Sequence, residues 1–318
     1  MLLSVIIPVY NSEKTISKLV EHVLETLDKK TLEIVLVNDG SRDRSEWVCS
    51  QLAKKFSQVK FISLRRNSGE FNAVMCGLNH AVGDYCVMID DDFQNPPTEI
   101  LKLIETARNG DFDVVYSYYE KKEHSLFRNF GSWLVNRVTT WLLEKPSDLY
   151  LSSFKLISLP VVQEIIKYKG PYPYIDGLIF RVTRNVGRVQ VSHNAREEGE
   201  SGYTLRKLTS LFMTILFGYS LKPLRLLTAT GLTFTTLSVL AVVLDFVLYL
   251  IHSQFFVLNS ILSAITFFSG LILTSLGLVG EYVGRIFMVQ SGLPQYVEKT
   301  LYLPIRENII PPLRRTEG

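Results

Sequence analysis

The sequence predicts an α/β domain built on a mostly parallel sheet, followed by a membrane-inserted hairpin of two spans. Three observations carry this. Short runs rich in Val and Ile alternate with longer amphipathic stretches through the first two hundred residues, at a spacing that calls for right-handed crossovers. Charge then almost vanishes: between Leu226 and Phe287 only Asp245, Glu281 and Arg285 are charged. Finally, no GxGxxG follows the first apolar run and no GxxxxGK[ST] loop is present, which counts against a dinucleotide oxidoreductase.

The predicted strands are Leu3–Val9, Glu33–Val37, Val59–Leu64, Tyr85–Ile89 and Val114–Ser117. Helical patterns fill the gaps at Glu13–Leu27, Ser45–Phe56, Phe71–Ala81 and Pro97–Arg108. In parallel sheets ligands sit beyond the carboxyl ends of the strands. The residues at those ends are Pro8 to Asn11, Asn38 to Ser41, Arg65 to Glu70, and Asp90 to Gln94.

Composition narrows the class. A chain of 318 residues is roughly two domains long, and 47% hydrophobic with 20% charged residues excludes disorder and fibrous repeats. A net charge of +3 is too weak, and too evenly spread, for a nucleic-acid binder. Cys49, Cys76 and Cys86 form no CxxC pair. That argues against a disulfide scaffold or a zinc site and fits free core thiols in a reducing compartment.

Leu226 to Ile251 would run about 39 Å as a helix, enough to cross a hydrocarbon core of about 30 Å. Asp245 opposes insertion by roughly 2.5–3.5 kcal/mol, but the Leu, Ile, Val and Phe residues of the run gain on the order of 6 kcal/mol. Ser260 to Val279 is a second, uncharged run, and the linker His252 to Asn259 has no Lys or Arg. Arg206, Lys207, Lys222 and Arg225 flank one side, and Arg285, Lys299, Arg306, Arg314 and Arg315 the other. Both flanks are therefore expected in the cytoplasm. Leu2 to Val9 is too short for a signal-peptide core and reads as a strand. Leu205, Leu208, Phe212, Ile215, Leu216 and Tyr219 share one helical face. They make either an interfacial amphipathic helix or an ordinary helix packed on the soluble domain. The expected division is 1–203 soluble, 204–225 interfacial, 226–287 membrane hairpin and 288–318 cytosolic tail.

The chemical centre is Asp90-Asp91-Asp92. Three consecutive carboxylates at a strand end repel one another unless a cation or solvent relieves them. Oxygen-only ligands suit Mg²⁺ or Mn²⁺. Alternation along an extended segment lets Asp90 and Asp92 face one site while Asp91 points elsewhere.

The order of four blocks, Val5 to Asn11, Val37 to Ser41, Arg66 to Gly69 and Ile89 to Pro97, resembles the family 2 glycosyltransferases, whose fold is GT-A. Arg196 to Tyr203 and Gly280 to Arg285 narrow the resemblance to the polyprenyl-phosphate glycosyltransferases, which include dolichol-phosphate mannose synthase and bacterial undecaprenyl-phosphate transferases. The resemblance implies that Pro8, Tyr10, Asn11 and Glu13 surround a nucleotide and that Asp39 contacts its base. Ser41, Asn67, Gly69 and Asp91 complete the implied donor site. Asp90 and Asp92 would be the metal pair, with Gln94 beside them. Arg128 and Ser132, four residues apart on one helical face, would hold the acceptor phosphate, and Arg196 the diphosphate.

Two positions depart from the family pattern. Tyr118 or Tyr119 stands where relatives have an Arg, with Lys121 and Lys122 just beyond, and Ser153 stands where many have an Asp. The expected activity is inverting, Mg²⁺- or Mn²⁺-dependent transfer from a nucleotide sugar, a UDP-sugar being favoured, to a polyprenyl phosphate at the inner membrane, for cell-envelope glycans. Asp245 would either pair with a polar group of a neighbouring helix, across a homo-oligomer among other choices, or stand as a tolerated buried carboxyl. The alternatives are a membrane-anchored sugar-nucleotide scaffold without turnover and a processive polysaccharide synthase. No QxxRW block surrounds Trp133 or Trp141 to favour the latter.

Overall fold

The structure, a computed structural model, describes residues 1–119, 137, 139–143, 145–192, 194, 224, 227, 229–231, 233, 236, 240 and 257–303. The chain divides into two compact units. One comprises Met1–Thr140, Glu144–Gly202 and Pro294–Gly318, and the other Trp141–Leu143 with Tyr203–Leu293.

The first unit is built on eight strands: β1 (Leu3–Val9), β2 (Leu32–Asn38), β3 (Val59–Leu64), β4 (Tyr85–Met88), β5 (Val114–Tyr118), β6 (Lys155–Ser158), β7 (Val186–Gln190) and β8 (Glu298–Tyr302). Their order across the sheet is β7-β5-β6-β4-β1-β2-β3-β8. The pairs β4–β1, β1–β2, β2–β3 and β5–β7 are parallel. β6 runs antiparallel between β4 and β5, and β8 antiparallel beside β3. The mostly parallel sheet read from the sequence is thus a mixed one, in which β6 and β8 alone reverse direction.

β1 and β2 are central because they can be buried on both faces: Val5, Ile6, Ile7, Val9, Ile34, Val35, Leu36 and Val37 have no measurable exposure, as expected of strands covered on both sides. The helices α1 (Ile16–Thr26), α2 (Ser45–Lys55), α3 (Glu70–His80) and α4 (Ile100–Gly110) fill the crossovers. Ile16, Leu19, Val20, Val23 and Leu24 form the buried face of α1, at the spacing of one helical stripe.

Two helix starts lie later than the sequence pattern predicts. α1 begins at Ile16 because the Ser12 carbonyl first accepts the Thr15 and Ile16 N–H groups in a turn. The Pro97–Arg108 pattern splits into a 3₁₀ turn, Pro97–Glu99, and α4, since proline is best accommodated in a first turn. Two short helices, α5 (Leu159–Ile165) and α6 (Ile175–Val182), follow β6. β8 lies within the segment expected as a tail, yet it extends the sheet.

In the second unit, α7 (Val257–Gln290) contains the expected span Ser260–Val279 and continues beyond it. Its stretch Phe267–Gln290 is, among the described residues, the one helix long and apolar enough to cross a membrane. Along the continuation the Arg285 Nε donates to Glu281 Oε1 at 3.0 Å, one turn back. The interfacial segment, Asp245 and most of Leu226–Ile251 lie outside the described residues; those described between 224 and 240 are helical.

Candidate active site

The carboxyl ends of β1, β2 and β4, together with the β3–α3 loop, form one rim. At the first, Asn11 adopts a left-handed φ of 56°, which a short polar side chain tolerates. Its N–H donates to Ser41 Oγ at 3.0 Å, and its Oδ1 accepts the Arg42 N–H at 2.8 Å. Glu13 accepts the Arg44 N–H at 2.9 Å. These bonds lash the first two rim loops together.

Asp39 is 3% exposed. Its Oδ1 accepts the Ser68 N–H at 2.6 Å and its Oδ2 the Gly69 N–H at 2.9 Å. Burial pushes its carboxyl above the usual range, opposed by those two hydrogen bonds. Gly40 follows with φ 64°, and a Cβ there would lie 2.5 Å from the Asn67 nitrogen. Only glycine therefore lets the β3–α3 loop close this tightly. Asn67 itself is exposed, and Gly69 has φ 94°. Asp39, read from the resemblance as a base contact, has both oxygens engaged in shaping this loop.

The acidic trio lies in the turn just after β4, and each member has a different partner. Asp91 turns toward β1, where its Oδ2 accepts the Tyr10 N–H at 3.1 Å and the hydroxyl of Ser12. Burial raises its carboxyl to about 6, against the pull of those two hydrogen bonds. Asp90 turns the other way and accepts from Ser153 Oγ at 2.6 Å. Asp92 accepts the Gln94 N–H at 3.1 Å through Oδ1. Between them Phe93 has φ 61°, costly for a bulky residue, while its ring stacks on His22 at 6.2 Å. The bend turns the chain immediately after Asp92. Asp91, expected among the donor contacts, is held to the first rim loop by Tyr10 and Ser12.

The fourth acid of the rim was not singled out from the sequence. Glu70, the first residue of α3, is exposed at the rim, yet partial desolvation and then Asp90, with Asp91 and Asp92 adding to it and Lys155 opposing, push its carboxyl up to about 7. Lys155 is itself committed: its Nζ bonds Asp176, which also accepts the Tyr116 hydroxyl at 2.9 Å. Lys155 and Asp176 are 2% and 6% exposed, and Lys155 sits over the Tyr116 ring at 4.9 Å from its centre. Tyr119 donates to Asn95 Oδ1 at 2.8 Å. An oxygen-only donor pair set among further carboxylates fits a hard divalent cation.

Pro8, Tyr10, Asn11, Glu13, Asp39, Ser41, Asn67, Gly69, Asp90, Asp92 and Gln94 all lie on this rim or directly beneath it. Arg128, Ser132, Arg196, Lys121 and Lys122 lie outside the described residues. Ser153, a departure in the sequence, reveals its role only here, as a donor to Asp90.

The mixed sheet with an acidic turn at the carboxyl end of β4 defines a GT-A fold glycosyltransferase. Residues 4–157 match the model of "Glycosyl transferase family 2", and the chain belongs to that family. It is 33% identical over 299 residues, 92% of each chain, to an undecaprenyl-phosphate 4-deoxy-4-formamido-L-arabinose transferase of Photorhabdus laumondii. An uncharacterized glycosyltransferase of Bacillus subtilis, YkcC, is 30% identical over 94% of each chain. Among solved structures, glucosyl-3-phosphoglycerate synthase of Mycobacterium tuberculosis, crystallised with Mn²⁺, UDP and glucosyl-3-phosphoglycerate, is similar with a TM-score of 0.52. It covers 68% of this chain and 77% of its own, at 18% identity, a likeness of fold.

Proposed function

We propose that this enzyme transfers a sugar, with inversion, from a UDP-sugar to a polyprenyl phosphate at the cytoplasmic face of a membrane. The observation that supports the reading is the acidic turn at the carboxyl end of β4, in which Asp91 is held by Tyr10 while Asp90 bonds Ser153 and Asp92 the Gln94 N–H. The undecaprenyl-phosphate substrate in the name of the Photorhabdus relative supports the acceptor.

In this reading Asp90 and Asp92 hold Mg²⁺ or Mn²⁺, which when bound neutralises charge on the leaving diphosphate. Tyr10, Asn11, Ser41 and the loop that Asp39 fastens form the nucleotide pocket, with Pro8, Glu13, Asn67 and Gly69 completing its walls. Gln94 lines the sugar side. Arg128 and Ser132 bind the acceptor phosphate, and Arg196 stabilises the diphosphate.

Ser153 explains how the reaction proceeds without an acid at that position. A phosphate monoester loses its second proton near pH 6, so the acceptor oxygen is already an anion at neutral pH. A general base, worth about 10²–10⁴-fold for a hydroxyl acceptor, is dispensable. Ser153 is then free to orient Asp90 through its 2.6 Å hydrogen bond. The length and apolar character of α7 support attachment of the chain to a membrane, where a lipid phosphate is met.

The test supplies the purified full chain with Mn²⁺, undecaprenyl phosphate and a panel of radiolabelled nucleotide sugars. One of them should deliver label into an organic-extractable product sensitive to mild acid. If all label stays water-soluble with every donor, transfer to a polyprenyl phosphate is wrong and the scaffold reading replaces it.

A further inference from the structure

We propose that Cys76, His80 and Glu298 form a zinc site that fastens strand β8 to helix α3. Cys76 and His80 are one turn apart on α3 and share a face. Glu298 opens β8, at the point where the β3–β8 register shifts between Ser63 and Leu64. Such irregularities re-aim a side chain out of the ladder. His80 Nε2 lies 2.9 Å and Cys76 Sγ 3.9 Å from Glu298 Oε1, and all three donor atoms fall within 4.8 Å of one another. Around a tetrahedral zinc, with bonds of roughly 2.0–2.3 Å, ligand atoms stand about 3.3–3.8 Å apart. The three side chains therefore reach that geometry with adjustments of about an ångström.

The donor set selects the metal. A thiol, an imidazole and one carboxylate suit borderline-soft Zn²⁺, whereas the oxygen-only rim suits Mg²⁺ or Mn²⁺. Cys76 is buried, His80 half-buried and the Glu298 side chain 33% exposed. The ion thus has a route in from solvent, beside the Tyr296 hydroxyl that bonds Cys76. The three cysteines read from the sequence argued against zinc because no CxxC pair exists. Here one cysteine is joined by a ligand from the far end of the chain.

The site has a structural consequence. The Val297 carbonyl, next to Glu298, accepts the Arg65 N–H at 2.8 Å. Arg65 begins the loop whose Ser68 and Gly69 N–H groups bind Asp39. Fastening β8 therefore steadies one end of the β3–α3 loop.

The competing account is a plain His80–Glu298 ion pair beside a neutral thiol. Full-length protein in detergent, loaded with Zn²⁺ and dialysed against a weak chelator, separates the two. We expect about one zinc per chain, retained by Asp92→Ala. Cys76→Ser and Glu298→Gln should each weaken binding by at least about 10–100-fold, the loss that even outer-shell partners of a metal can cause. Cobalt-loaded protein should show a near-ultraviolet thiolate-to-cobalt band that Cys76→Ser removes. If Cys76→Ser misfolds, Glu298→Gln, altered at a partly exposed side chain, decides by zinc content alone. Zinc content equal in the parent and Glu298→Gln proteins, or cobalt without the band in the parent, overturns the site.

Discussion

The two ends of the central sheet both hold carboxylates, and they treat them in opposite ways. At the amino end Glu33, 1% exposed, accepts from Ser4 Oγ at 2.5 Å and the Val82 N–H at 3.0 Å and faces Lys60 Nζ at 2.5 Å. One buried anion thus meets one cation and two hydrogen-bond donors. At the carboxyl end Asp90, Asp91, Asp92 and Glu70 gather, while the nearby Lys155 bonds Asp176. Like charges crowd there: desolvation and the neighbouring aspartates push Glu70 up to about 7, and desolvation with Asp90 and Asp92 pushes Asp91 up to about 6. The contrast is between one buried anion matched by one cation and several carboxylates gathered at the strand ends where ligands bind.

Breaking the amino end should affect stability alone. Lys60→Met strands Glu33 in a nearly closed site, and removing one partner of a buried pair costs about 3–5 kcal/mol. The unfolding midpoint of the full chain in detergent should fall accordingly, while the transfer rate per folded molecule stays within twofold. A matching loss of kcat in the folded fraction would show that the amino end takes part in function.

The reverse holds for Asp92. Its Oδ1 accepts the Gln94 N–H, but its charge lies where like charges already crowd. Asp92→Ala should leave the unfolding midpoint close to that of the parent and lower transfer by about 10²–10³-fold, the loss typical of one electrostatic contact to developing charge. Chelation of divalent ions should do the same to the parent enzyme. Retained turnover under chelator would remove the metal from the reading.

Asp39 lies between these extremes, and Asp39→Asn should show both effects in smaller measure. The amide can still accept one of the two N–H groups of Ser68 and Gly69, but its NH₂ opposes the other. An unmet buried donor costs about 1–3 kcal/mol. Donor KM should rise with the loosened loop while acceptor KM holds. A change in acceptor KM alone would place Asp39 on the wrong side of the site.

These residues also mark how far the sequence could be read. β1 to β5 were legible because buried parallel strands are continuous apolar runs, and the rim followed from the rule that ligands gather at strand ends. β6 was not: it has four residues and begins with Lys155, whose partner Asp176 sits on α6. A cation's pairing across a sheet leaves no periodic trace. Nor does the sequence say which way a carboxylate faces. Asp39 matches a ligand contact by its motif, and the structure adds that each of its oxygens accepts a backbone N–H. Ser153 looked like the loss of an acid until its hydroxyl was found on Asp90. Glu70 was passed over because a glutamate opening a helix is ordinary, and only the convergence of β4 and α3 makes it unusual.

Glu70 also gives the gentlest test of the contrast between the two ends. Although Glu70 is exposed, partial desolvation, then Asp90, with Asp91 and Asp92 adding and Lys155 opposing, raise its carboxyl from 4.5 to about 7 on folding. The folded state therefore holds a proton between about pH 4.5 and 7 that the unfolded chain has released. Where the native state binds more protons, stability falls as pH rises. In metal-free buffer the unfolding midpoint should accordingly decline across that window, and Glu70→Gln, which cannot ionise, should flatten the decline. Mn²⁺ should flatten it as well, because a cation among Asp90 and Asp92 offsets the charges that hold Glu70 protonated. A decline of equal slope in Glu70→Gln would mean that the excess charge at the carboxyl end is carried by other groups.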